Sequence, residues 1–89
     1  MATTSLLDVD IRRVLEVVEK LGGVSLPRRV IEVTLLPDEG VLHVRFEEPR
    51  GAELGEPIHP LIHLFRDAET GRVTAIEIIN LDEVVRLAG

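Results

Sequence analysis

Val30-Ile31-Glu32-Val33-Thr34-Leu35-Leu36-Pro37-Asp38-Glu39-Gly40-Val41-Leu42-His43-Val44-Arg45-Phe46-Glu47 reads as two β-strands folded back on one another. In the first run Ile31, Val33 and Leu35 alternate with Glu32 and Thr34. In the second, Leu42, Val44 and Phe46 alternate with His43, Arg45 and Glu47. A period of two places each set on one face of a pleated strand. Between the runs, Pro37 presets one backbone dihedral and Gly40 permits a positive φ, so Pro37-Asp38-Glu39-Gly40 is a turn with a mechanism. The expectation is a hairpin with one apolar and one polar face.

On the C-terminal side, residues 48–60 are polar and broken by Pro49, Gly51, Gly55, Pro57 and Pro60. They read as the longest and most mobile interruption, with a short edge strand over 52–54 as an option. Apolar character resumes over 61–66, residues 67–71 turn the chain, and 72–79 form a last strand. Asn80-Leu81-Asp82-Glu83 has the form of a capping box, so a short helix is expected over 81–88. On the N-terminal side residues 1–5 read as a frayed end. Leu7, Ile11, Val14, Leu15, Val18 and Leu21 then recur at spacings of three and four, which predicts an amphipathic helix over 6–21. Asp8 and Asp10 at its start and Lys20 at its end suit the helix dipole. Gly22-Gly23 supplies a left-handed stop. The fold class expected is α+β: one domain over 1–89, an N-terminal helix on an antiparallel meander of three to four strands, and a short C-terminal helix.

Composition narrows the chemistry. The chain has 89 residues, no cysteine, two Phe and neither Tyr nor Trp. Disulfides, thiolate nucleophiles and zinc–thiolate sites are therefore excluded. Sixteen acidic against ten basic residues give a net charge of −6, which repels nucleic-acid phosphates and anionic membranes. Aromatic residues interleaved with basic ones, as RNA stacking needs, are missing. No phosphate-cradling glycine loop precedes a helix, and neither Ser5 nor Ser25 sits in a nucleophile elbow. The reading leans away from an enzyme and expects no cofactor, no nucleic-acid partner and no membrane partner. Without an export signal or a long apolar run, a cytoplasmic location is expected. Nine of the ten basic residues are Arg, Gln is absent and Asn occurs once, a composition that suits a thermophile, with a GC-rich genome as the alternative source of the Arg bias.

Gly71-Arg72-Val73-Thr74-Ala75-Ile76-Glu77-Ile78-Ile79-Asn80 resembles the closing signature of a small bacterial family classed as a domain of unknown function. There an acidic turn and a Gly precede a strand of the form Val-x-Gly-Ile-Glu-Ile-Leu-Asn. Val41-Leu42-His43-Val44-Arg45-Phe46 is similar to its earlier strand. Here Leu35-Leu36 stand where the family has Tyr-Asp, and His43 where it has a strand Tyr. The resemblance implies a compact β-meander, a genomic setting beside toxin-like proteins and hence an antitoxin-like role. It carries over no catalytic residue.

Two constellations remain. His43, His63 and Glu77 share the polar parity of their strands, and two imidazoles with a carboxylate suit a divalent metal. The alternative for these residues is a solvated strand surface. Separately, Val41, Leu61, Phe65, Val73, Ala75 and Ile79 share the parity opposite to Leu42, Ile62, Leu64, Ile76 and Ile78. A sheet apolar on both faces needs covering twice. Either the C-terminal helix and the 48–60 segment form the second cover, or a partner does, most simply a second copy meeting Val41, Leu61, Phe65, Val73 and Ile79. The basic pairs Arg12-Arg13 and Arg28-Arg29 read as solvated charge, with contact to an acidic partner as the functional alternative. Together these features describe a self-associating protein-interaction or regulatory module, or alternatively a small metal- or ligand-binding protein.

Overall fold

The amphipathic stripe forms helix α1, Ile11–Gly22, in a computed structural model that describes residues 10–87. Asp10 caps it, its Oδ1 accepting the Arg13 N–H at 3.2 Å, which meets one of the donors a helix N-terminus leaves open. Gly23, at φ 66°, stops it, and the Gly23 N–H donates to the Glu19 carbonyl at 2.9 Å. Val14, Leu15 and Val18 are its buried side. The frayed end over 1–5, the expected first helical turns with Leu7 and Asp8, and Ala88 lie outside the described residues.

Among the described residues the sheet has five strands: β1 (Glu32–Leu36), β2 (Val41–Arg45), β3 (Glu53–His59), β4 (Ile62–Asp67) and β5 (Val73–Ile78). They are antiparallel throughout, in the order β1-β2-β5-β4-β3. Helix α2 (Leu81–Leu87) follows β5. Asn80 Oδ1 accepts the Glu83 N–H at 3.1 Å, the N-cap half of the expected capping box, while the Glu83 carboxylate accepts from Arg86. The α+β class stands, with two corrections. Five strands replace three to four, because Glu53–His59 pairs along β4 instead of forming a loop. Its glycine and proline are tolerated there because β3 is an outer strand, with one side free of ladder bonds. The topology is also not one meander. A β1-β2 hairpin and a β3-β4-β5 meander are joined where β5 pairs with β2.

The register sorts the side chains into rows. On one face Leu35, Leu42, Ile78 and Ile62 lie across four adjacent strands, and Val33, Val44, Ile76 and Leu64 form the next row. The six β2, β4 and β5 members are fully buried. Val14, Leu15 and Val18 of α1 and Leu81 and Val84 of α2 belong to the same core cluster. Both helices therefore cover one face. The turn at 37–40 links the layers: Gly40 adopts φ 68°, and its carbonyl accepts the Leu81 N–H at 2.9 Å, tying the hairpin to α2.

Leu64→Ala empties a site with no exposure and should cost about 2–5 kcal/mol. Leu54→Ala, at a position 59% exposed, should change stability by less than about 0.5 kcal/mol. Urea denaturation checks both; an equal effect at the two positions would contradict this core.

Candidate functional site

The face of the sheet opposite the helices carries the polar alternates of the same strands. One row across it runs Thr34, His43, Glu77, His63, Pro57, and the next runs Glu32, Arg45, Ala75, Phe65, Gly55. The expectation that His43, His63 and Glu77 share a face thus meets a definite register, with Glu77 directly between the imidazoles. Among the described residues, no group of three or more His, Asp or Glu side chains is drawn together to hold a metal ion. Two strand spacings, roughly 9–10 Å, separate the outer members of such a row, so the three form a line and not a closed shell. The His63 Nδ1 atom is buried without a hydrogen-bond partner.

Phe65 organises the neighbouring row. Its ring lies over Gly55, where an added Cβ would come within 2.8 Å of the ring edge. Glycine on β3 is therefore what leaves room for the ring beside this edge strand. The His43 and Phe65 rings are tilted at 47° with centroids 6.1 Å apart, inside the range of aromatic contact. Ala75, cross-strand neighbour of both Arg45 and Phe65, is fully buried.

A bulge then changes the alternation. Phe65 pairs with Ala75, but Arg66 pairs with Val73, so Thr74 is the extra residue. Val73 consequently packs against the core cluster, as does Leu61. Of the five residues expected to meet a second copy, these two join the core layer. Val41 and Phe65 stay half-buried, and Ile79 is exposed. Thr74, fully buried, donates its hydroxyl hydrogen to the Glu53 carboxylate, with the Phe65 carbonyl at 3.3 Å as a second acceptor. Arg45 closes the cluster with two bonds to Glu53, at 3.1 and 3.3 Å. Its Nη1 also donates to the Glu47 carbonyl at 3.2 Å. The two charged side chains are only 15% and 23% exposed. Arg45 lowers the Glu53 pKa through these hydrogen bonds, against the desolvation that raises it, with Thr74 adding to the lowering. This trio was not legible in the sequence, because a short edge strand over 52–54 was only an option there and gave Glu53 no register against Arg45 or Thr74.

Asp67 is a buried carboxylate, 1% exposed. It accepts the Arg50 N–H at 2.7 Å and the Glu69 N–H at 2.8 Å. These backbone bonds, Arg50 first, hold its pKa below the usual carboxylate value. Asp67 thereby fastens the segment entering β3 to the turn before β5. An aspartate opening Asp67-Ala68-Glu69-Thr70-Gly71 is the sequence signal for such a turn. Among the described residues no helix is long and apolar enough to cross a membrane. Comparison with protein-family models, with curated proteins and with solved structures finds no match.

Glu53 and Asp67 both have lowered native pKa values, so the folded chain binds fewer protons than the unfolded one in the carboxylate range. Their stabilisation is complete above about pH 4, the unfolded carboxylate range. It is lost as pH falls through the lower native values. Denaturation midpoints measured from pH 7 to pH 2 should therefore decline steeply at the acid end, and Asp67→Asn combined with Glu53→Gln should flatten that decline. An acid limb unchanged in the double variant would contradict these assignments.

Proposed function

We propose that the chain is a non-catalytic protein-interaction or regulatory module that self-associates and presents the helix-free face of its sheet to a protein partner. The observation that carries this reading is the placement of both helices on one face. Among the described residues the opposite face keeps Val41, His43, Phe65 and Ile79 at the surface without a covering element. The C-terminal helix and the 48–60 segment, the two elements available as a second cover, are used elsewhere. Helix α2 joins the core layer, and residues 53–59 extend the sheet. The family resemblance supports an antitoxin-like version of this role, in which the partner is a toxin-like protein. The acidic balance of −6 and the lack of interleaved aromatic and basic residues support a protein partner over a nucleic acid. Nine Arg among ten basic residues, no Gln, no cysteine and a single Asn support a thermophilic setting, the family resemblance supports a bacterial one, and the lack of a long apolar run supports a cytoplasmic one.

The rival reading is a small metal- or ligand-binding protein using His43, His63 and Glu77. The observation in its favour is the single cross-strand row, with the His63 Nδ1 atom lacking a partner.

Light scattering from micromolar to millimolar protein should show the mass rising from 9.9 kDa toward twice that value. A constant monomer mass across this range would overturn self-association. Calorimetric titration with zinc should give no stoichiometric binding. One ion per chain, lost in His43→Ala, would replace the module reading with its rival.

A further inference from the structure

The two edges of the sheet are built differently. β3 has Gly55, Pro57 and a register shift between Pro57 and His59, with Glu53 and Glu56 along it. Proline removes a donor and an irregular register spoils the ladder, so this edge resists addition of another strand. β1, the other edge, is Glu32-Val33-Thr34-Leu35-Leu36 in unbroken register with β2. It contains no proline, no glycine, no bulge and one charge. Ile31 and Leu36, at its two ends, are each 45% exposed. Val30, Val33 and Leu35 are only partly buried against the core, so apolar side chains remain at this rim of the helix layer.

The charges flanking β1 have opposite signs at its two ends. Arg28-Arg29 precede the strand, and Asp38-Glu39 follow it in the turn. All four are exposed. Arg28 lies 3.7 Å from Glu19 with its own side chain 80% exposed, a loose surface contact. Antiparallel alignment of this segment with an identical one sets the basic end of each against the acidic end of the other. The charge pattern is self-complementary under two-fold symmetry, and under no parallel alignment.

We infer that β1 is the seam along which a second copy of this chain pairs, antiparallel, to give a continuous ten-stranded sheet. This rests on the self-association proposed above and assigns its location. A two-fold axis perpendicular to the sheet keeps both helix layers on one side. It also requires a register centred on a residue, because paired residues must point to the same face. Centring on Val33 sets Glu32 opposite Thr34 of the second copy on the helix-free face. On the helix side it sets Ile31 against Leu35, closing the apolar rim. Arg28 and Asp38 then fall at the same level at both ends of the seam. No Glu32–Glu32 opposition arises. The local pairs act at contact distance, while repulsion between two copies of charge −6 is screened beyond roughly 8–10 Å at ordinary salt.

The test uses two full-length variants, Arg28→Glu with Arg29→Glu, and Asp38→Arg with Glu39→Arg. All four positions are exposed, outside the strands, and circular dichroism verifies folding. Each variant alone should associate at least about tenfold more weakly than the wild type, since like charges now meet at both ends. An equimolar mixture should restore a dimer, because every acidic end then meets a basic one. Raised salt should weaken the wild-type and mixed dimers alike. A wild type that dimerises while both variants dimerise equally well would remove the seam from β1 and leave self-association standing. A mixture that stays monomeric beside a dimeric wild type would overturn the antiparallel alignment. A wild type monomeric to millimolar concentration would overturn the seam and self-association together.

Discussion

β5 is hydrogen-bonded to β2 on one side and to β4 on the other, and the rest of the sheet hangs from it. The β1-β2 hairpin and the β3-β4-β5 meander are each local in sequence, with turns of a few residues. They become one sheet only through the β2–β5 ladder, which joins Leu42 to Ile78 and Arg45 to Ala75. That ladder closes about thirty residues of chain, a larger entropic demand than any hairpin turn. Ile76 and Ile78 meet it by taking apolar neighbours on both sides, Val44 and Leu64 for one, Leu42 and Ile62 for the other. Both helices then dock on these rows. A strand held this way has little freedom to shift, since a slip of one residue would carry Glu77 into the core.

The same strand decides what the opposite face looks like. Its bulge at Thr74 sends Val73 toward the helices and leaves a hydroxyl facing the Arg45–Glu53 pair. Without the extra residue, Thr74 would fall on the core parity of Ile76 and its hydroxyl would need a partner there. With it, Thr74 adds a hydrogen bond to Glu53, whose charge is already held by Arg45. A half-buried ion pair is secure when its remaining lone pairs are satisfied, and costly otherwise. This end of the open face is consequently a fixed polar cluster, whereas the end near Val41 and Ile79 is apolar.

The parts of the fold legible in the sequence were those set by local periodicity and turn chemistry. The stripe Ile11, Val14, Leu15, Val18, the stop at Gly23 and the turn at Gly40 each state their geometry within a few residues. β3 was hidden because Gly55 and Pro57 read as strand breakers, which they are for an interior strand. Their tolerance depends on lying at an edge, a property of the assembled sheet. For the candidate site, parity placed His43, His63 and Glu77 on one face. Register, which made them neighbours in a row, is a relation between strands distant in sequence. Val73 shows the limit most plainly, since one bulged residue reversed the face that alternation assigned to it.

In a chain this short, one layer of helices uses most of the apolar surface that does not lie in the sheet itself. Among the described residues the helix-free face and the β1 edge are both left over, and they make different demands. A face is satisfied by side-chain contact of many shapes, but an edge asks for another strand, because its outward N–H and C=O groups need a ladder. The proposed edge pairing therefore leaves the face free and doubles its width, carrying two staggered His43–Glu77–His63 rows on one surface. Pairing through the face would instead bury those imidazoles and carboxylates, with the Nδ1 of His63 still lacking a donor or acceptor. Edge pairing is thus the arrangement that satisfies backbone groups without desolvating the polar row.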